Sequence, residues 1–263
     1  MSRGFRSRVV PPQVLRSNPS CSPWEPLLAA RAGQLMLGDL RNTALTFFAM
    51  MLAVGLLAWG QELRPPAQLE RRYDQGPLRA EEFRGLPKLR LSEEKGRPLD
   101  AYTMTRIRFR YQYNVWRRRG RSIVRLKSIE VYSVFDRDKS WNRRPQDAEL
   151  LDHEQGHFDI TETHARRAQL ELNRLGRTAA TRTAAATEKG AVEQLNARIR
   201  EQLKPFVEAN VKAHADYDRL TAHGGRRQAQ AVQRQQQRDQ LREFADLLEL
   251  EKAQRRMKRR DDR

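Results

Sequence analysis

Two histidines one helical turn apart, His153 and His157, bracket Glu154, Gln155 and Gly156 in this chain. On an α-helix such residues project from one face, so both imidazoles can reach one Zn²⁺ and leave positions for water and a further protein ligand. Glu154 follows the first histidine, which sets its carboxylate beside the metal and not on it. From there it can take a proton from zinc-activated water and pass it to a leaving amine. Zinc lowers the pKa of its water to about 7, so hydroxide is available at neutral pH. The pentapeptide is short and recurs by chance. Its setting strengthens it: Phe158 and Ile160 make the helix apolar-periodic, and Gly156 leaves room beside the metal.

The only cysteine is Cys21, so any metal site must be built from His, Asp and Glu. His164 lies seven residues beyond His157, about 10 Å further along the helix axis, which puts it out of reach as a ligand and makes it a surface or supporting residue. The remaining candidates cluster in residues 214–224, HADYDRLTAHG. His223 is the favoured third ligand, because imidazole is the commoner neutral ligand and the glycines that follow free its backbone. Asp218 is the alternative ligand, or a residue that orients an imidazole from behind. His214 and Asp218 also have the spacing of an i,i+4 surface pair. Tyr217 or His214 is a candidate for stabilising an oxyanion.

The elements that must hold these residues are legible on either side. From Arg106 to Val115 the chain alternates strictly, so Ile107, Phe109, Tyr111, Tyr113 and Val115 face one side of a half-buried strand. The basic stretch Arg117 to Arg121 contains Gly120 and reads as a hairpin turn. A second strand pair, or one bent strand, follows from Ser122 to Phe135. Its parity shifts near Ser128, the mark of a bulge or a short break. Pro145 announces a helix in which Leu150, Leu151, His153, His157, Ile160 and His164 recur at helical spacing until Gly176. The Thr/Ala-rich residues 177–187 read as a loop or weak helix. A long helix is expected from about Ala191 to Ala222, bent at Pro205 and stopped by Gly224 and Gly225. A polar helix rich in Gln and Arg follows from Gln228 to Arg260. Strand signals precede helix signals instead of alternating with them. The expected fold is therefore α+β, a small antiparallel sheet from residues 101–135 packed on the zinc helix and followed by long helices.

The strongest apolar run is Ala44 to Gly60, at the boundary between a signal-peptide core and a short membrane helix. Ala58 and Gly60 are placed for cleavage before Gln61; Met36 is an alternative start, and an uncleaved anchor an alternative fate. The chain then divides into a basic, disordered segment 1–43, a signal peptide or membrane anchor 44–60, a catalytic domain 61–227 and a polar basic C-terminal helix 228–263. Export to the periplasm or beyond, with the inner membrane as the only anchoring point, is the implied location. The net charge of +18 over 263 residues suits acidic partners such as anionic envelope components. Its basic residues are dispersed and no nucleic-acid-binding motif accompanies them, so nucleic acid is not the expected partner. With 38% hydrophobic and 32% charged residues, a modest core ringed by solvated helices is expected, not one large globule.

The stretch Leu150 to Ile160, LLDHEQGHFDI, resembles the HEQGHFDI signature of a bacterial family of unknown-function domains regarded as secreted zinc-dependent proteases. Tyr217 to Gly224, YDRLTAHG, is similar to that family's YDxxTxHG segment. Ser140 and Trp141 match its Ser-Trp ahead of the zinc helix, and Leu78 to Gly85 loosely match its N-terminal motif. The resemblance spans residues 73 to 235. It implies a zincin-like domain in which His153 and His157 are ligands, Glu154 is catalytic, and His223 or Asp218 completes the site. Where the family carries an aromatic residue after the YD segment, this chain has Arg and Gln. The implied function is a zinc metallopeptidase of the cell envelope acting on a peptide or protein amide. The alternative is a non-catalytic envelope protein whose zinc pins its helices while basic surface binds a partner. A fourth protein ligand, closing the site to water, would separate the second from the first.

Overall fold

The computed structural model describes residues 6–14, 69–87, 93–94, 97–175 and 181–261. In chain order the elements are β1 (Arg6–Val14), β2 (Glu70–Arg72), the two-residue strands β3 (Glu93–Glu94), β4 (Arg97–Pro98) and β5 (Ala101–Tyr102), the long β6 (Thr105–Arg118) and β7 (Arg121–Asp136), β8 (Trp141–Asn142), α1 (Ala148–Leu175), β9 (Arg182–Ala185), α2 (Glu188–Thr221) and α3 (Arg227–Asp261). The apolar run 44–60, Cys21 and the alternative start Met36 lie outside the described residues.

The fold is α+β. The alternation at 106–115 becomes the centre of β6, where Ile107, Phe109, Tyr111, Tyr113 and Val115 are all buried. β6 turns into β7 through Arg119 and Gly120, whose φ values of 50° and 74° are both left-handed. That is the two-residue turn whose twist matches the flanking strands, and Gly120 relieves one of its two unfavourable positions. The parity shift near Ser128 is a β-bulge in one bent strand: Gln112 pairs with Ser128 but Tyr113 with Leu126, leaving Lys127 unopposed.

Every strand pairing is antiparallel, in the order β1-β6-β7-β2, with β9 also on β7. β9 covers Ser122 to Arg125 and β2 covers Val134 to Asp136. In the gap between them, Gln169 of α1 accepts from Val131 N at 2.6 Å and donates to Ile129 O at 3.2 Å. One long amide thus satisfies backbone groups that no strand reaches.

Two sequence expectations give way here. Residues 6–14, read as part of a disordered segment, form an edge strand: Val10 is buried opposite Tyr111, and the register jumps over Pro11 and Pro12, which cannot donate to a ladder. Residues 182–185, read as loop or weak helix, form β9; small β-compatible side chains suffice because β7 supplies the hydrogen bonds.

Asp147 caps α1, accepting from the backbone of Glu149 and Leu150 at 3.0 Å each. Thr187 caps α2 by accepting from Gly190 N, and α2 continues through Pro205. The two helices close the core over the sheet: Ala165, Ala168 and Leu172 of α1 meet Ala191, Leu195, Ile199 and Leu203 of α2 on the inner face of β6 and β7. Along α1 the contact partners on α2 run in reverse order, so these helices are antiparallel.

α3 was expected as a separate basic segment, yet it belongs to the same compact unit and lies beside α1. The side chain of Arg234, 6% exposed, reaches Asp152 at 3.0 Å and also pairs with Asp159, two carboxylates on one stripe of α1. Tyr73 and Gln155 complete Asp159 at 2.8 and 2.6 Å. A buried charge is tolerable only when paired and hydrogen-bonded in this way.

His164 is also buried, at 7% exposure, and not on the surface. Burial, with Arg167 nearby, pushes its pKa down to about 4. Since the folded value lies below the unfolded one near 6.5, the unfolded chain binds more protons between those pH values. This contribution to stability is complete above about pH 6.5 and disappears as pH falls toward 4, up to about 3 kcal/mol in all. We expect His164→Gln to flatten the melting-temperature curve over that interval; an unchanged curve would show that His164 is not the group responsible.

Candidate metal centre

α1 presents His153 and His157 on one face, and the last turns of α2 present Asp218 to them. Asp218 Oδ1 lies 3.1 Å from His153 Nε2 and 3.0 Å from His157 Nε2. The ligand atoms of these three residues all lie within 4.8 Å of one another. The preference for His223 is therefore reversed. His223 sits past the end of α2, after Ala222 in a run of left-handed backbone, with its Nδ1 3.4 Å from Asp218 Oδ1 and its side chain 39% exposed. It lines the same cavity but is not in the group whose ligand atoms converge. The physical reason is helical phase: Asp218 shares the inward stripe of α2 with His214, Tyr217 and Thr221, and the helix ends before His223 can join it.

Burial opposes charge on Asp218, but hydrogen bonds from His153, His157 and His223 hold its carboxyl far below the usual carboxylate range. Burial likewise opposes charge on His157, yet the Asp218 hydrogen bond and charge, with Glu154, keep its pKa above the ordinary value. Two imidazoles directed at one carboxylate form a donor set compatible with a divalent metal, His nitrogen and Asp oxygen both being suited to zinc.

Behind these atoms the two imidazoles are held differently. His157 Nδ1 is 2.8 Å from His214 Nδ1, and His214 Nε2 is 3.1 Å from Thr161 Oγ1. Burial and the neighbouring His157 push the His214 pKa down to about 3, so it is neutral. With both ring nitrogens engaged, His214 is not available as the oxyanion donor that its position in the sequence allowed. His153 instead stacks on Tyr217, centroids 4.8 Å apart at 12°, and its Nδ1 has no hydrogen-bond partner among the described residues.

Tyr217, the other oxyanion candidate, is 2% exposed and does not line the cavity described below. Its hydroxyl lies against Gly156, where any Cβ would overlap it. The glycine of the motif thus makes room for a packed tyrosine from α2, and not for the metal. Burial pushes the Tyr217 phenol well above its usual pKa.

The centre opens into a cavity of about 1080 Å³ walled by residues 99–107, the first turns of α1 and the last turns of α2. Glu154 lines it, only 3% exposed, with Oε2 lacking any hydrogen-bond partner among the described residues. A buried carboxylate oxygen left unpartnered beside a cavity fits a group whose partner arrives with the substrate or the metal. Charges around the rim are mutually paired: Arg144 with Asp100 and Asp147, Arg227 with Glu149, Arg106 with Asp136. Tyr102 forms part of the wall, stacked on Trp141.

The four segments that carry the sequence resemblance meet around α1. Leu78 N donates to Gln155 Oε1 at 2.7 Å, and Leu78 packs with Phe135 and Phe158. Gly85 presses against the backbone of 138–140 so closely that a Cβ would collide with it. Thr161, Arg234 and Asp159 were missed by sequence reasoning. Thr161 had a signal, since it lies four residues after His157 on the same face. Comparison with family models, curated proteins and solved structures finds no match to this chain.

Proposed function

We propose that this chain is a zinc-dependent amide hydrolase of the metallopeptidase type, acting on peptide or protein substrates at the cell envelope. The observation that carries the reading is the convergence of His153, His157 and Asp218 at the edge of a large cavity, with the buried Glu154 carboxylate beside them. Those three residues would hold the ion. A zinc ion held there supplies Lewis acidity toward a carbonyl and makes water a better nucleophile at neutral pH. Glu154 takes the proton of the attacking water and returns it to the departing amine nitrogen as the C–N bond breaks. Asp218 and the imidazoles keep their orientation through contacts already made without substrate, which limits reorganisation during the reaction.

The reading of a structural zinc requires a fourth protein ligand. The opening of the site onto the cavity favours catalysis over it. The envelope location rests on the apolar run 44–60. Among the described residues no helix is long and apolar enough to cross a membrane.

The purified full chain should contain close to one zinc per molecule and cleave a denatured protein substrate. A chelator should abolish cleavage and added zinc restore it. A chain that holds no zinc after incubation with the metal would sink the proposal.

A further inference from the structure

We infer that His214 is the positioning residue for His157, accepting its Nδ1–H and so keeping its Nε2 lone pair directed at the metal. The inference rests on the metal reading above and extends it to a residue outside the ligand set.

The argument is one of hydrogen-bond directions. A neutral imidazole carries one N–H, and a ring that coordinates through Nε2 must carry it on Nδ1. At 2.8 Å, the partner of His157 Nδ1 is His214 Nδ1. Two nitrogens can share one hydrogen only if one of them accepts, so His214 must place its own hydrogen on Nε2. That hydrogen meets Thr161 Oγ1 at 3.1 Å. Thr161 then has its hydroxyl hydrogen free for the His157 carbonyl at 3.2 Å, or for Thr105 Oγ1 at 2.7 Å. The chain of donors and acceptors closes without conflict, from the His157 ring back to the His157 backbone.

Ring orientation adds a second restraint. With centroids 5.0 Å apart and planes at 23°, the two rings meet edge to edge in nearly one plane, the alignment an N–H···N bond requires. Helix phase supplies the arrangement: His157 and Thr161 are i,i+4 on α1, and His214 and Asp218 are i,i+4 on α2. A metal ligand and the residue that orients its partner thus descend from adjacent turns of α2. Histidine ligands usually donate to a carboxylate or a backbone carbonyl; here a second imidazole takes that place. The polarity matters, because a neutral acceptor leaves the ligand less basic than a carboxylate would and keeps the charge of the centre on Asp218.

The test compares zinc affinity of the full chain, by competition with a chromophoric chelator, for wild type, His214→Phe, His214→Asn and Thr161→Val. His214→Phe keeps an aromatic ring on α2 and removes the acceptor; zinc affinity should fall about 10- to 100-fold. His214→Asn retains an acceptor near the position of Nδ1 and should recover most of that loss. Thr161→Val should cost only a few-fold. Melting temperatures of the metal-free proteins identify any variant that fails to fold, and the Asn variant then carries the comparison. Wild type binding zinc while His214→Phe binds equally well overturns this inference alone. Equal losses in the Phe and Asn variants, with unchanged melting temperatures, overturn it too, since an acceptor would then be irrelevant. A wild type that binds no zinc overturns the metal reading and this inference together.

Discussion

Asp218→Ala should weaken zinc binding on the order of 100-fold or more, while His223→Ala should change it only a few-fold. The reason for the contrast is geometric. Asp218 Oδ1 stands 3.1 and 3.0 Å from the two imidazole nitrogens, whereas His223 Nδ1 lies 3.4 Å from Asp218 Oδ1 and is not in the group whose ligand atoms converge. Removing residues that merely orient ligands already costs about 10- to 100-fold, so loss of a ligand should exceed that range. Asp218→Asn refines the experiment, because it keeps the shape and removes the charge that neutralises part of the metal's own. If instead His223→Ala proves the more damaging change, the third ligand is His223 and Asp218 is its support.

Glu154→Gln is expected to leave zinc affinity within a few-fold of wild type and to reduce hydrolysis by about 10²- to 10⁴-fold, the usual contribution of a positioned proton-transfer group. Glu154 is beside the converging ligands and not among them. Its unpartnered, buried oxygen also predicts the direction of a stability effect. Replacing a buried carboxylate with a neutral amide should leave the melting temperature unchanged or raise it, the pattern of a residue kept for activity at some expense of stability. Retained hydrolysis in this variant would remove Glu154 from the mechanism. A large loss of zinc would instead make it a ligand.

Much of this arrangement could be read from residue order, and the failures have physical causes. The β6 alternation, the turn at Arg119 and Gly120, and the bulge near Ser128 are local patterns with period two, and local hydrogen bonding determines them. The helix bearing His153 and His157 was equally legible, since its start after Pro145 and its apolar period are contiguous. Asp218, which stands closest to both imidazoles, was ranked second because a chemical preference for imidazole outweighed helical phase. Counting back from Thr221 through Tyr217 would have put Asp218 on the inward stripe. α3 was read as a polar helix, but the burial of one side was not, because hydropathy cannot distinguish a polar stripe that is buried from one that is solvated. Gln230, Arg234, Gln237 and Leu241 are each no more than 7% exposed and form one side of that helix, where Gln230 and Arg234 donate to acceptors of α1 and the Leu241 carbonyl accepts from Arg166. β1 carries two prolines, and only the long-range register with β6 shows that they occupy a jump in the ladder.

The pairing of β1 with β6 also constrains sidedness. Residues 6–14 precede the apolar run 44–60 in the chain, while every residue of the metal centre follows it, yet both contribute to one sheet. A single passage of 44–60 through a bilayer, as signal or as anchor, would therefore require β1 to leave the sheet, because a ladder cannot join strands in different compartments. As long as β1 stays in the sheet, the residues ahead of the apolar run and the candidate metal centre must travel together and end on the same side. Proteolytic maturation between residues 14 and 69 would convert β1 into a separate peptide held by its ladder with β6, the buried Val10 and the Arg8–Glu188 pair. Its departure would bare the hydrogen-bonding edge of a 14-residue strand, an open template for pairing with another chain.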